Sequence, residues 1–570
     1  MSLTRHTATV HFSRNMPGRR SSPRTRLPSI KQQQKNVGLL SSRGRLSVPE
    51  EIAPSRHPGS LRLTSSRSIY EALGSYTEDG LRPTRMVRGS WLLKRAMALR
   101  QAKAQHGPNS KAVRRLALPR RQDMPEEAFI GPGELKMHEP PGYIGKQWRV
   151  AVFACSYCWR TKAHPDPYGE TLLMLADALA GMLEKRLRQM TEWATMPKTE
   201  FSVLWAYEHF PKEFGVFIDW CSVFQPDKAT GEREPAEQVA YDIALNDLEL
   251  WYAHQLTTVF LLTLSAPPTR ADYYHSGWTT YESMVARILK KRRGDLWDPI
   301  IDVGEPNSTR HLQPPIHVDE FRDLVRVLVF TNGADRGTVF KLYIRTLRHT
   351  LQCASALHYE GCGWQPPEMK QLAKVLPMCV HLRTLKLSNN SLGQEGFNVL
   401  ARTVGLQQCL PNLRVLDLGG NDLSGNPHAL QGLAEAVSPN PHGLPSIADA
   451  GAEPRPHPPG LIMLQELHLQ ECKLGPVGFV NFCRSLRRGA LHALLKLGIE
   501  GNHIEDAAVE PLTVALANNG AMPKLKFVLG LPARGGITAV ETLFKVMGHR
   551  RGSWEMMNEL KAEIKRPVEW

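Results

Sequence analysis

The sequence predicts an α/β protein with three successive parts: a disordered basic tail, a region built on a parallel sheet, and a short array of strand–helix repeats. Three observations lead to this prediction. Basic residues crowd the amino-terminal part, strand and helix patterns alternate between residues 147 and 339, and one pattern of spaced leucines recurs from Ala354 onward. Alternating strands and helices favour a parallel sheet with helices on both of its faces.

The amino-terminal part carries almost all of the excess positive charge. Residues 1–125 hold 25 Lys or Arg and 6 Asp or Glu, a net charge of +19, whereas the remaining residues sum to −3. Because this part is rich in Ser, Arg, Pro and Gln and poor in apolar residues, we expect it to be disordered.

Two interpretations of this tail stay open. The absence of acidic residues before Glu50 is typical of an organelle transit peptide, which would place the protein in a mitochondrion or plastid. The alternative is a solvated tail of a cytoplasmic protein that touches RNA or an acidic membrane surface. A nucleic acid or membrane partner is therefore expected only at the tail.

The middle region contains alternating strand and helix patterns. Strands are predicted at residues 149–154, 214–219, 257–263 and 324–330, and helices at 171–190, 237–253 and 278–290. In sheets of this kind ligands bind at the carboxyl ends of the strands. Ser156, Asp219 and the segment after Thr263 fall at those ends.

Cysteine usage and hydropathy narrow the class of protein. The nine cysteines are scattered, which is typical of reduced thiols rather than a disulfide framework. Cys155 and Cys158 form a Cys-x-x-Cys pair, but they end a strand pattern and have no second ligand pair nearby, so no metal site is predicted. No apolar run is long enough to span a bilayer, and we expect no transmembrane segment.

The carboxyl-terminal part repeats the phrase Leu-x-x-Leu-x-Leu-x-x-Asn-x-Leu. Its first positions are Ala354, Leu382, Leu413, Leu464, Leu494 and Leu525, which gives spacings of 28, 31, 51, 30 and 31 residues. The long spacing contains a Pro-rich insert at residues 438–460, expected to form a protruding loop. The repeats are assigned to residues 354–548, after a connecting helix at 340–353 and before a tail at 549–570.

The phrase has a physical basis. Leu385 and Leu387 lie two residues apart and therefore point to the same face of a short strand. The amide of Asn390 both donates and accepts hydrogen bonds where the chain leaves the strand. Helical spacing follows each bend, so each unit buries its apolar face only when a neighbouring unit stacks on it.

These repeats closely resemble leucine-rich repeats of the ribonuclease-inhibitor type. The resemblance implies a solenoid with a curved parallel sheet that binds other molecules. A protein partner is expected on the exposed strand positions, whose mixed charges favour protein over nucleic acid. These positions are Arg383, Lys386, Asp417, Glu466, His468 and Glu500.

The middle region carries a second resemblance. Residues 154–159, 217–225 and 276–282 resemble three motifs of the fungal heterokaryon-incompatibility (HET) domain, which is related to the Toll/interleukin-1 receptor (TIR) fold. The resemblance covers about 190 residues, and a TIR/HET-like α/β domain is assigned to residues 126–339. Together with the repeats, the chain from Gln147 onward looks like a protist or algal TIR/HET-like protein with leucine-rich repeats.

The TIR resemblance implies a site. In plant TIR domains a Ser-x-x-Trp-x-x-x-Glu phrase carries the catalytic glutamate of an NAD-cleaving site. Trp278 and Glu282 keep that spacing, although the serine stands two residues before Trp278 instead of three. Cleavage of the nicotinamide bond passes through an oxocarbenium-like state, which a carboxylate stabilises.

The resemblance makes Glu282 the candidate catalytic residue, with NAD as a possible substrate and no cofactor required. Asp219 is the candidate to hold a ribose hydroxyl, Trp220 or Trp278 to stack on a flat base, and Ser156 to line the site. A structural alternative stays open, with Glu282 solvated on its helix, Trp278 a core anchor and Asp219 a cap.

Two functions follow. The first is a protein-interaction and signalling protein whose repeats bind a protein partner while its TIR/HET-like domain self-associates or signals. The second is a sensor-effector enzyme in which ligand capture by the repeats controls NAD cleavage at Glu282.

Overall fold

A computed structural model describes ten stretches of the chain. They are residues 62–136, 151–194, 213–264, 272–290, 298–304, 313–406, 409–438, 461–504, 509–517 and 520–530. Three predicted segments lie wholly or largely outside these residues. They are residues 1–61 of the basic tail predicted at 1–125, nearly all of the Pro-rich insert, and the tail at 549–570. The described residues all belong to one unit, Glu51–Trp570.

The first part of the chain is built on a six-stranded sheet. Its strands are β1 (Met86–Arg88), β2 (Phe129–Ile130), β3 (Val152–Tyr157), β4 (Gly215–Phe217), β5 (Thr258–Leu262) and β6 (Ile300–Asp302). They lie in the order β2-β1-β4-β3-β5-β6. Strands β4, β3, β5 and β6 are parallel, and β1 runs antiparallel to both of its neighbours. All side chains of β3 and β5 are buried, as expected for a parallel sheet covered on both faces.

Eleven helices accompany this sheet in the described residues. They are α1 (Ser66–Gly74), α2 (Gly89–His106), α3 (Lys111–Leu116), α4 (Pro132–Lys136), α5 (Glu170–Ala194), α6 (Asp219–Ser222), α7 (Pro235–Asn246), α8 (Leu248–Tyr252), α9 (Gly277–Ala286), α10 (Val318–Val327) and α11 (Asp335–Cys353). Short 3₁₀ turns occur at Arg121–Asp123, Glu126–Ala128 and Tyr273–His275. The parallel α/β architecture predicted for the middle region is confirmed.

The prediction of disorder up to residue 125 is wrong from residue 62 onward. Met86 and Val87 are fully buried, and β1 pairs with β4 through Val87 opposite Val216. This pairing is close: a Cβ on Gly215 would lie 2.9 Å from the Cβ of Met86. Several basic side chains of this stretch pair with carboxylates, whereas Arg121 is buried and donates to backbone carbonyls.

The strand predicted at residues 324–330 is also wrong, because most of it belongs to helix α10. His317 and Glu320 form a capping box at its start, and Val318, Phe321 and Val325 are buried along one helical face. Strand β6, which closes the parallel part of the sheet, was not predicted; it has only three residues.

The second part of the chain is a six-stranded parallel sheet with strands in chain order. The strands are β7 (Ala356–His358), β8 (Thr384–Lys386), β9 (Val415–Asp417), β10 (Glu466–His468), β11 (Lys496–Gly498) and β12 (Phe527–Leu529). The helices between them are α12 (Pro366–Ala373), α13 (Gly393–Leu406), α14 (Gln431–Ala436), α15 (Gly475–Ser485) and α16 (Val509–Ala517), with a 3₁₀ turn at Leu376–Met378. All six predicted units therefore contribute a strand at the predicted position.

Buried asparagines connect neighbouring units. The amide of Asn421 donates to the carbonyl oxygens of Leu387 (3.0 Å) and Leu418 (2.8 Å), and its oxygen accepts from the backbone N–H of Leu392 (3.2 Å). Asn390 and Asn502 make the same kind of contacts one unit earlier and two units later. These bonds explain the asparagine of the repeated phrase, because backbone groups at each bend find a partner in the next unit.

Helix α11 packs against both parts of the chain. Phe340 and Leu347 are buried, and the ring of Tyr343 stacks on Phe321 of α10 at 3.7 Å. Beyond the helix, the hydroxyl of Tyr359 after β7 donates to the carbonyl of Ile288 (2.9 Å), just past α9. None of the helices in the described ranges has the length and apolar character needed to cross a membrane.

Candidate functional site

Three of the predicted site residues lie at the carboxyl ends of the parallel strands. The chain passes from β3 to β4 on one side of β3 and then crosses to β5 on its other side. Strands β3 and β5 therefore adjoin at the topological switch point, where such sheets bind ligands. Ser156 is near the end of β3, Asp219 follows β4, and Glu282 lies on α9 after β5.

Glu282, Ser156 and Tyr273 form a hydrogen-bonded chain. The Ser156 hydroxyl donates to Oε2 of Glu282 at 2.5 Å, and its oxygen lies 2.5 Å from the hydroxyl of Tyr273. The backbone around them is fixed by Thr279, whose hydroxyl donates to the carbonyl of Tyr273. The structural alternative of a solvated Glu282 is therefore wrong, because its carboxyl is directed into the sheet.

Asp219 is held by two aromatic side chains, one at the end of β3 and one just after it. Its Oδ1 accepts from the Tyr157 hydroxyl at 2.5 Å and its Oδ2 from the indole N–H of Trp159 at 2.9 Å. The backbone N–H of Trp220 also donates to Oδ1 (2.7 Å), so Asp219 fixes the first turn of α6 as well. The amide of Gln225 closes this segment by donating to the carbonyl of Asp219 (3.0 Å).

Burial sets the protonation of both carboxyl groups. It raises the pKa of Glu282 well above its ordinary value; the hydrogen bond from Ser156 opposes this rise and the charge of Asp219 adds to it. Burial also raises the pKa of Asp219, although the bonds from Tyr157 and Trp159 act in the opposite direction.

The two predicted stacking residues lie elsewhere. Trp220 is only 4% exposed, and its indole N–H donates to the carbonyl of Leu118 at 3.0 Å. Trp278 is one turn before Glu282 on α9, but its indole N–H donates to Asp335 at the start of α11 (2.9 Å). Both rings anchor packing between elements, so the structure does not bring them to the Glu282 carboxyl.

The site is closed. Ser156 is 0%, Tyr273 2% and Glu282 7% exposed, so a ligand reaches the carboxyl only after neighbouring side chains move. Within the described stretches, no group of three or more His, Cys, Asp or Glu side chains is placed to hold a metal ion. Neither Cys155 nor Cys158 forms a disulfide bond with another cysteine of the described residues.

A second candidate site is the polar face of the repeat sheet, which we call the open face. It comprises the side chains that alternate with the buried leucines. His358, Lys386, Asp417 and His468 lie side by side at one register on β7, β8, β9 and β10. All four are half-buried, which leaves a row of polar groups available to a partner.

The open face pairs its charges internally. Nδ1 of His358 lies 3.1 Å from Glu360, and Nε2 of His468 lies 3.1 Å from Glu466. Lys386 and Lys496 approach Glu360 and Glu466, each at 3.9 Å.

Glu500 follows β11 on the open face, two residues after Gly498. Arg383 is the exception among the predicted binding residues. It lies just before β8, two residues from the buried Leu385, and strand alternation therefore places it on the opposite side from the open face. Its side chain is exposed.

Sequence reasoning missed Tyr273, Tyr157 and Trp159. Tyr157 and Trp159 stand inside the first HET-like motif, where the alternation of a strand places Tyr157 on the opposite face from Ser156. Tyr273 has no such signal, because a 3₁₀ turn outside every motif brings it to the site.

Comparison with known proteins bears on the repeat sheet. Two family models described as leucine-rich repeats match residues 379–401 and 412–433, which include β8 and β9. This part of the chain is a leucine-rich-repeat region. Such repeats support a role in protein interaction.

The other two comparisons add little. The comparison with curated proteins found no match. The chain is similar to a solved structure from Caenorhabditis elegans titled as a tropomodulin C-terminal domain. The match covers 39% of this chain and 96% of that one, with 12% sequence identity and a TM-score of 0.21.

Proposed function

We propose that this protein is a signalling protein whose leucine-rich repeats bind a protein partner through the open face, while a TIR/HET-like α/β region self-associates or signals. The observation that carries the proposal is the row of polar side chains at one register across β7 to β10. Mixed charge supports a protein partner, because nucleic acid selects a surface of one sign.

The strand order supports the assignment of the α/β region. Its four parallel strands lie in the order second, first, third, fourth, which is a flavodoxin-like doubly wound order. The three HET-like motifs fall at the end of β3, across β4 and α6, and at the start of α9. Light scattering on the full chain over a range of concentrations tests self-association.

Affinity capture with matched charge variants tests the open face. The variant Lys386→Glu/Glu466→Lys reverses two charges there and keeps the net charge. The control, Lys370→Glu/Glu395→Lys, reverses an exposed pair that links helices α12 and α13. We expect the same proteins to be captured by the wild type and the control and to be lost by the open-face variant. Equal capture by all three chains would contradict the proposal.

A second function is favoured by the buried carboxyl at the switch point. Glu282 keeps the position that the TIR resemblance gives a catalytic glutamate, and Ser156 holds it at the carboxyl end of β3. In its ionised form, Glu282 stabilises the positive charge that develops on a ribose ring as a neutral base departs. Cleavage of the bond between ribose and nicotinamide is the corresponding reaction.

An assay of NAD cleavage by the concentrated full chain tests this second function. Release of nicotinamide is compared for the wild type, Glu282→Gln and the exposed control Glu395→Gln. We expect Glu282→Gln to lower turnover by about 100-fold or more, as for loss of a charge that stabilises the transition state, and the control to leave it unchanged. Absence of turnover in a folded wild type would exclude this function and leave the interaction proposal intact.

A further inference from the structure

The 3₁₀ turn before α9 places two tyrosines in different polar networks. The hydroxyl of Tyr273 contacts Ser156, whereas that of Tyr274 donates to Oδ2 of Asp302 at 3.3 Å. The turn is anchored at its start by Asp272, whose carboxylate accepts from the backbone N–H of Tyr274. The position of the Tyr273 ring is therefore fixed by the backbone.

The direction of the hydrogen bonds follows from the number of protons. When Glu282 is ionised its oxygens only accept, so Ser156 donates to it and Tyr273 must donate to Ser156. When Glu282 is protonated its O–H can donate to Ser156, and the chain can then run the opposite way, with Tyr273 accepting. A phenol is a better donor and a poorer acceptor than an aliphatic hydroxyl, so Tyr273 favours the ionised arrangement.

We infer that Tyr273 is a positioning residue for Glu282, which acts through Ser156 to set the protonation and orientation of that carboxyl. The inference rests on the second proposed function for its catalytic meaning. Tyr273 itself stays neutral, because burial raises the pKa of its hydroxyl well above the ordinary value.

Other groups act on the same carboxyl and define the comparison. The titratable side chains that interact with Glu282 come from five elements, and the described contacts give Tyr252 on α8, Asp219 on α6, Cys155 on β3, Tyr281 on α9 and Tyr273 itself. Tyr252 hydrogen-bonds to Glu282 directly, and its hydroxyl also donates to the carbonyl of Cys155 at 3.2 Å. Of these groups, Tyr273 is the one that contacts the oxygen of Ser156.

The test is an infrared titration of the Glu282 carboxyl in the full chain, with Glu282→Gln to assign its band. Ser156→Ala removes the hydrogen bond and should raise the apparent pKa of Glu282. Tyr273→Phe should raise it by a smaller amount, because the remaining Ser156 bond loses only its cooperative strengthening. Asp219→Asn removes a negative charge and should lower it.

Two further variants make the test specific. Tyr274→Phe is the matched control, since it deletes a hydroxyl from the same turn that contacts Asp302, and it should leave the titration unchanged. In the Ser156→Ala background, Tyr273→Phe should produce no additional shift, because its route to the carboxyl is already broken. A shift of equal size in that background, or an equal effect of Tyr274→Phe, would overturn the inference.

Turnover of NAD measured on the same proteins separates the two proposals. If the titration responds as expected but the wild type does not cleave NAD, the positioning role stands and the enzymatic function fails. If NAD is cleaved while Tyr273→Phe leaves the titration of Glu282 unmoved, the positioning role fails alone. Thermal unfolding of each variant confirms that the compared chains are folded.

Discussion

At the scale of single residues, the folded chain disfavours the ionised form of Glu282. Burial raises its pKa above the ordinary 4.5, so the folded chain retains a proton that the unfolded chain releases. Stability from this group is fully present below pH 4.5 and falls as the pH rises through the folded-state pKa. Such a cost is typical of a residue kept for function.

The first prediction concerns Glu282→Gln, a neutral replacement of similar shape. It should raise the free energy of unfolding at pH 8 by about 1–3 kcal/mol. The amide is neutral in both states, so folding no longer requires a carboxylate either to lose its solvation or to take up a proton. The gain should vanish near pH 4. Thermal unfolding at the two pH values measures it, and Glu395→Gln, an exposed carboxylate, serves as the control. A loss of stability at pH 8 would contradict this account.

Glu249 shows the opposite behaviour. Burial opposes its ionisation, but the hydrogen bond and charge of His349 and the charge of Arg62 lower its pKa to about 2. Its stabilising contribution is therefore present above pH 4.5 and is lost as the pH falls toward 2. Oε1 of Glu249 lies 2.7 Å from Nε of Arg62 and 3.3 Å from Nδ1 of His349.

The second prediction follows from that pairing. Glu249→Gln should lower the free energy of unfolding at pH 7 by about 3 kcal/mol, since it removes one of the two carboxylates that pair with the buried Arg62. It should also flatten the acid branch of the stability curve between pH 4.5 and 2. Glu71→Gln, in an exposed pair with Arg67, is the control and should change stability little. Parallel acid branches for both variants would show that Glu249 does not govern acid stability.

The sequence predicted part of this site. Ser156, Asp219 and Glu282 follow from motif order and from the rule that parallel strands present their carboxyl ends at one edge. The roles of Trp220 and Trp278 did not follow, because an indole has both a flat ring and an N–H donor. Only tertiary packing decides that the N–H groups bind Leu118 and Asp335.

At the scale of secondary-structure elements, periodicity predicted the repeats well and short elements poorly. Strands β7 to β12 lie where the repeated leucines indicate, because six copies reinforce one pattern. A single copy gives no such support: six of the seven residues at 324–330 are apolar, which suits a buried strand, yet the capping box at His317 starts a helix that extends through Val327.

The third prediction concerns the asparagine bonds between repeat units. Asn421→Ala removes the partners of three buried backbone groups and should lower the free energy of unfolding by about 3 kcal/mol. Asn481→Ala removes one exposed bond to the carbonyl of Pro427 and should cost less than about 1 kcal/mol. Urea denaturation of both variants gives the comparison. Similar losses would mean that the buried asparagines do not hold the units together.

At the scale of the whole molecule, the sheet and the repeats meet at helix α11. Tyr281, which precedes Glu282 on α9, has its hydroxyl 3.2 Å from that of Thr346 on α11. His349 of the same helix reaches Glu249 on α8. The helix that follows the α/β region and precedes the first repeat is therefore packed directly against the element that carries the candidate catalytic residue.

The fourth prediction tests where the folded part begins. A chain starting at residue 130 lacks β1 and α2 and exposes the edge of β4, so we expect it to aggregate or to unfold at lower temperature than the full chain. A chain starting at residue 62 keeps these elements and should unfold like the full chain. Thermal unfolding and size-exclusion chromatography decide between them. Equal behaviour of the two fragments would show that residues 62–129 are dispensable for folding.

The central claim is that the open face of the repeats binds a protein partner. The most direct measurement is the dissociation constant of a captured partner for the wild type, for Lys386→Glu/Glu466→Lys and for Lys370→Glu/Glu395→Lys. We predict that binding weakens about tenfold or more in the open-face variant alone, since reversed charges meet like charges across the interface. Unchanged binding by the open-face variant, with loss in the helix-side control, would contradict the account.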